Sequence, residues 1–234
     1  MLNSLNIRNY RSLKQLKISS LGKVNLITGK NNTGKSTILE AIALYAGKGD
    51  LSIIYQFLSE RGENFKQSDT NKNPTESNIK SLSSLFTNRL VGFESENIIS
   101  IGVVEDTLFG EQTSSENSVS LRFVKQNPIF KFGFETRMGE NSYILSLDED
   151  KPYRYGFRNI HSNSKETFQY IRTRNIDREI NGKLFDNIAL TEKEQFVIDA
   201  LKIIEISTER IAFIEESSRE RTAVIKLSSV QSIL

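Results

Sequence analysis

Residues 29–36 read Gly-Lys-Asn-Asn-Thr-Gly-Lys-Ser, which is G-x-x-x-x-G-K-[ST], and no other stretch of the chain limits its fold so tightly. Residues 23–28, Lys-Val-Asn-Leu-Ile-Thr, read as a short strand before it. Residues 36–46 carry apolar side chains at helical spacing after it. Strand, glycine loop and helix in that order form the setting of a phosphate-binding loop.

The residue types follow from the charge they meet. A triphosphate is answered by inward backbone N–H groups and by the positive end of a helix dipole. Gly29 and Gly34 allow left-handed turns and a close backbone approach. Lys30, Asn31, Asn32 and Thr33 complete the cradle between them. Lys35 is expected to reach the β- and γ-phosphates, and Thr37 to add a hydroxyl near the α-phosphate. The Ser36 hydroxyl is expected on Mg²⁺, so ATP and Mg²⁺ are the expected cofactors.

The chain has 234 residues, enough for one sizeable core or two small ones. Cysteine is absent, which excludes disulfides and thiolate metal sites. No stretch approaches the roughly 18 apolar residues that span a bilayer, and Met1 leads straight into an alternating pattern rather than a secretory signal. A cytoplasmic protein without a membrane partner is the expectation. Net charge is +2, but residues 1–50 hold eight Lys or Arg against Glu40 and Asp50, so the basic excess is concentrated there. That distribution suits a nucleotide, with solvated strand faces as the plainer account and DNA as a possible further partner.

Four segments are expected within a single incomplete domain. Residues 1–60 form the P-loop unit, with strands over 2–8 and 13–19 joined by a turn at 9–12, and helices over 36–46 and 51–60. Residues 61–96 hold a polar loop over 62–78 and a short helix over 79–90. Residues 97–150 read as an inserted antiparallel sheet with strands over 98–104, 119–124, 129–134 and 143–147. Residues 151–234 hold a polar loop, a helix capped at Thr191-Glu192-Lys193-Glu194 with Phe196, Val197, Leu201 and Ile204 on its buried face, and a terminal hairpin over 206–216 and 222–227.

Two blocks carry a family resemblance: Leu5-Asn6-Ile7-Arg8-Asn9-Tyr10-Arg11-Ser12-Leu13, and Val24 through Ile42 containing Gly-x-Asn-x-x-Gly-Lys-Ser-Thr. Together they resemble the ABC-type ATPases of the RecF, SMC and Rad50 group, and within it the OLD-like family often called AAA15. The Leu-Thr-x-x-Glu helix at 190–194 and Arg210-Ile211-Ala212-Phe213-Ile214 are similar too, less specifically. The resemblance implies an α/β fold: a P-loop NTPase lobe of ABC-ATPase type with an inserted antiparallel sheet. It implies that Arg11 helps hold the nucleotide, with Arg8 a weaker candidate, and that Asn31 lies close to the phosphates. Such heads pair through ATP, so a homodimer, or a partner protein supplying further ATPase or nuclease elements, is implied, in DNA repair or anti-phage defence.

The family pattern continues with a signature motif, an apolar strand ending in Asp-Glu, and a switch histidine. None is found here, so the chain is expected to correspond to the first half of such a head, with the C-terminal half missing and catalytic residues unassigned. Leu145-Ser146-Leu147-Asp148-Glu149-Asp150 reads as an acidic loop, His161 as a surface histidine, and Gln112, Gln126 and Gln169 all stay open as the nucleotide-sensing glutamine. The alternative function is an ATP-binding sensor or structural subunit that does not hydrolyse.

Overall fold

The structure is a computed structural model that describes residues 2–63, 73–93, 97–107, 110–112, 117–127, 130–148, 168, 170–171, 178–215 and 221–228. The chain divides into two compact units, Met1–Tyr170 and Ile171–Leu234.

In the first unit β1 (Leu5–Tyr10) and β2 (Leu13–Ile18) form a hairpin closed by Arg11 and Ser12. Leu5 and Ile7 alternate with Asn6 and Arg8, so one face of β1 is fully buried. The P-loop then leads into α1 (Lys35–Ala46), followed by α2 (Leu51–Glu60) and α3 (Pro74–Ser83). The third helix begins earlier than residues 79–90 suggest, because Asn73 caps it, accepting from the Thr75 N–H at 3.1 Å, and Pro74 takes the first helical position. It ends at Ser83, and a 3₁₀ turn covers Thr87–Arg89. Most of the expected polar loop, residues 64–72, lies outside the described residues.

The strands β3 (Ile99–Gly102), β6 (Ser118–Asn127), β7 (Phe130–Met138) and β8 (Asn141–Ser146) follow, with a small hairpin of β4 (Glu105–Thr107) and β5 (Gly110–Gln112) between β3 and β6. They do not make a separate sheet. β3 pairs antiparallel with β1, giving one six-stranded sheet in the order β2-β1-β3-β6-β7-β8. α1 packs against β1, β3 and β6 of this sheet. The core runs from Leu44, Ile54 and Leu58 through Leu82 and Phe86 to Phe123 and Phe134 on the sheet. Phe86 stacks on Phe123 at 5.2 Å between centroids, and Phe134 meets Phe123 edge-on at 5.4 Å.

Residues 23–28 depart from the strand expected there. Among the described residues they pair with no strand, and Val24 and Leu26 are 91% and 88% exposed. β-type composition favours extended backbone, but a strand exists only with a ladder partner, and the neighbouring edge β2 pairs with β1 alone.

On the sheet face opposite Phe134, the buried Glu135 carboxylate takes Arg122 Nε from the adjacent strand, Arg137 Nη2 at 3.1 Å and the Ser142 hydroxyl at 2.8 Å. Burial opposes ionisation, yet these hydrogen bonds and the two guanidinium charges outweigh it and hold the carboxyl below the usual glutamate range. A depressed carboxylate adds stability that is present above its ordinary pKa and is lost as the pH falls through the folded-state value. Glu135→Gln is therefore expected to be less stable than wild type at neutral pH and to converge on it below about pH 4. Urea midpoints across that range check this; a gap that stayed constant on acidification would mean that charge is not its source.

The second unit comprises α4 (Arg178–Asp186), α5 (Glu192–Lys202) and an antiparallel hairpin of β9 (Thr208–Glu215) and β10 (Arg221–Leu227). Thr191 caps α5, accepting from the Lys193 N–H at 3.2 Å. Its buried face is Ile198, with Val197 and Leu201 partly covered against Phe185 and Ile211. Phe196 and Ile204 were expected on that face but are 72% and 86% exposed. At 100° per residue Phe196 falls outside the arc of Ile198 and Leu201, and Ile204 lies beyond the helix end. α4 escapes the sequence pattern because Gly182 interrupts it. The glycine makes room for Arg221: a Cβ there would lie 2.9 Å from that side chain, which makes a two-point ion pair with Asp186. Of the apolar C-terminal residues, Ile225 and Leu227 are 42% and 49% exposed, and 229–234 lie outside the described residues.

Candidate nucleotide site

The loop's geometry follows from its glycines. Gly29 and Gly34 sit at φ 153° and 94°, with Asn32 at 63°. At Gly34 a Cβ would lie 3.1 Å from Ser12 Oγ and 3.2 Å from Leu13 Cδ2, so the β1–β2 turn comes right up to the loop. Gly34 is the N-cap of α1 and the Ile38 N–H bonds its carbonyl at 3.0 Å. Thr33 Oγ1 donates to the Lys30 carbonyl at 2.8 Å, which tightens the turn. The Lys35 ammonium donates to the carbonyls of Gly29 at 2.7 Å and Lys30 at 2.6 Å, so its charge spans the mouth of the loop.

Beside the loop lies a cleft of about 590 Å³, within the size range of small-ligand sites. It is lined by Ser12, Asn31, Asn32, Gly34, Lys35, Ser36, Thr37 and Arg61. Six of the expected site residues thus converge on it, while Gly29, Lys30 and Thr33 shape the loop. The donor set is hydroxyls, amides, a helix N-terminus and two cations, and among the described residues no carboxylate lines it. That set fits a polyphosphate. The Ser36 hydroxyl is exposed at the first turn of α1, and would serve as one protein ligand to a Mg²⁺ otherwise held by phosphate oxygens and water.

Arg11 goes elsewhere. Its side chain is 6% exposed and is not in the lining; Nε lies 2.9 Å from Glu40 Oε2 and Nη1 2.8 Å from Glu63 Oε2. Across the two-residue turn Arg11 points inward and Ser12 outward. Arg8 stands exposed on β1, opposite Gln15 and Ser100, also outside the lining. Sequence reasoning missed Ser12 and Arg61. Ser12 was legible as the neighbour of Arg11 in the turn; Arg61, 26 positions beyond Lys35, carries no local signal.

The acidic run at 145–150 has a structural role where it is described. Asp148 Oδ2 accepts from the Lys131 N–H at 2.6 Å and the Phe132 N–H at 3.3 Å, closing the start of β7. Glu149, Asp150, His161 and Gln169 lie outside the described residues, as do the side chains of Gln112 and Gln126.

A glycine loop that opens a helix, packed beneath an antiparallel sheet and carrying Lys and Ser at the first helical positions, defines a P-loop ATPase lobe. The chain belongs to the AAA ATPase domain family AAA_15, whose model matches residues 1–229. An uncharacterized protein of Methanocaldococcus jannaschii, MJECL10, is 43% identical over 61 residues, 26% of this chain and 28% of its own length. An ATP/GTP phosphatase of Helicobacter pylori is 46% identical over 48 residues, 20% of this chain and 13% of its own. The DNA replication and repair protein RecF of Rickettsia typhi is 47% identical over 49 residues, 20% of this chain and 14% of its own. The chain therefore matches less than a third of each of these curated relatives. A solved SMC ATPase chain aligns over 88% of this chain and 99% of its own at 16% identity, with a TM-score of 0.27, too low to carry an argument. Among the described residues no helix is long and apolar enough to cross a membrane.

Proposed function

We propose that the chain is the ATP-binding lobe of a RecF-like ATPase, with MgATP held by Gly29 to Thr37. The observation that carries this reading is the convergence of Lys35, Ser36 and the N-terminus of α1 on one polar cleft. When bound, Mg²⁺ would neutralise phosphate charge; the chain's own residues bind and orient. The loop N–H groups and Lys35 take phosphate oxygens, Ser36 offers its hydroxyl to the cation, and Arg61 adds a second positive charge from α2's end.

The wider role is control of DNA engagement, or of a nuclease partner, in repair or anti-phage defence. The RecF similarity and the basic N-terminal segment support it. Assembly with a second copy or another chain fits the exposed apolar residues Phe196, Ile203, Ile204 and Ile206 of the second unit.

Binding and turnover are expected to separate. Phosphoryl transfer needs a group that orients the attacking water, and no carboxylate lines the cleft among the described residues. The purified chain is expected to bind MgATP yet hydrolyse it more slowly than about 0.1 s⁻¹, against an enzyme median near 10 s⁻¹. Calorimetry and a phosphate-release assay on one preparation check both halves. Absence of nucleotide binding would overturn the reading, and a faster rate abolished in Ser36→Ala would reveal a catalytic group that the cleft does not show.

A further inference from the structure

We infer that Glu40 is a positioning residue for the nucleotide cleft, holding Arg61 so that the free edge of its guanidinium faces the phosphates. The inference rests on the nucleotide-binding reading above and concerns how the second cation of that cleft is set.

Glu40 lies on α1, five residues beyond Lys35, with its side chain 6% exposed. A carboxylate offers about four acceptor positions, and here it accepts three hydrogen bonds and faces a second guanidinium charge. Oε2 accepts from the Tyr10 hydroxyl at 3.2 Å and lies 2.9 Å from Arg11 Nε. Oε1 takes a two-point contact from Arg61, with Nε at 3.1 Å and Nη2 at 2.5 Å. Burial and the Glu40 charge push the Tyr10 phenol far above its usual range, so it stays a donor at any working pH. Arg11 is locked in turn: its Nη1 reaches Glu63 at 2.8 Å, and its backbone N–H bonds the Leu85 carbonyl at 2.7 Å. The carboxylate cannot swing without separating buried charges.

Arg61 is the C-cap of α2, with its side chain 38% exposed, and it lines the cleft. Glu40 takes Nε and Nη2, and among the described residues Nη1 makes no hydrogen bond or ion pair, so that edge is left over. A guanidinium gripped on one edge presents its other edge in a fixed plane, a geometry suited to phosphate oxygens. Arg11 then affects the nucleotide through Glu40 and Arg61 rather than by contact.

The test is MgATP affinity by calorimetry on the full chain, in wild type, Arg61→Ala, Arg61→Lys, Glu40→Gln and the double variant Glu40→Gln/Arg61→Ala. Arg61→Ala is expected to weaken binding about tenfold or more, and Arg61→Lys nearly as much, because lysine cannot grip Glu40 at two points. Glu40→Gln is expected to weaken it several-fold, and the double variant to bind no worse than Arg61→Ala. That non-additivity is a readout that a merely structural role would not move. Wild-type affinity in Arg61→Ala or Arg61→Lys, or multiplied losses in the double variant, would overturn the inference. If Glu40→Gln fails to fold, the two Arg61 variants decide it. Loss in Lys35→Ala with no loss in Arg61→Ala sinks the positioning role alone. A wild-type chain that binds no nucleotide sinks the reading of the site as well.

Discussion

Arg11→Ala is expected to lower the unfolding free energy by about 3–5 kcal/mol, the usual cost of removing one partner of a buried ion pair. Arg11 and Glu40 are both 6% exposed at the side chain, and Glu63 is 21% exposed. Among the described residues, removing the guanidinium leaves Glu40 with Arg61 and Tyr10, and Glu63 with the exposed Arg89. It also opens a cavity between the β1–β2 turn and the residues that follow α3, where Nη1 approaches the Ser84 carbonyl at 3.5 Å. Arg61→Ala, at a half-exposed position, is expected to cost less than about 1 kcal/mol. Urea denaturation of both variants gives the comparison. A loss below about 1 kcal/mol in Arg11→Ala would show that Arg61 alone compensates Glu40.

Lys35→Ala is expected to weaken MgATP binding by at least about 100-fold. The ammonium is the one full charge that the loop pattern places on the β- and γ-phosphates. Charged hydrogen bonds to the two phosphates are worth about 1.5–3 kcal/mol each, about 3 kcal/mol or more together, and each 1.4 kcal/mol is tenfold. Lys35 sits across the carbonyls of Gly29 and Lys30, with its ammonium at the mouth of the loop. Wild type at about 100 Kd of ATP should gain about 2.7 kcal/mol of stability, and the variant almost none at the same concentration. Equal affinity in a folded Lys35→Ala chain would remove the assignment of this loop to phosphate.

Local signals were readable where their partners lie within a few residues. The positive-φ glycines of the loop, the helix that Gly34 opens, the Thr191 cap and the β9–β10 hairpin all depend on neighbours along the chain. So does β1–β2, closed by a two-residue turn, although β1 starts three residues and ends two residues later than expected. The helix now bounded by Pro74 was misplaced because its cap, Asn73, sits inside a polar run that reads as loop. Phe196 was misassigned because counting apolar residues does not say which arc of a helix a small unit can cover.

The conformation of the glycine loop and the family of the chain were legible in residue identity along a short segment, because backbone sterics and a helix dipole act over a few bonds. Everything that joins distant segments was decided by packing. β3 chose β1 as its partner, and so merged the inserted strands and the N-terminal hairpin into one sheet. Residues 23–28, of strand composition, remained unpaired among the described residues because no partner strand lies alongside. Arg11, expected at the nucleotide, was drawn to Glu40 and Glu63, 29 and 52 positions away. A buried guanidinium must find carboxylates, and which ones it finds depends on how α1 and α2 sit against the sheet. That same packing carried Arg61 to the cleft, where no periodicity in the chain had placed it.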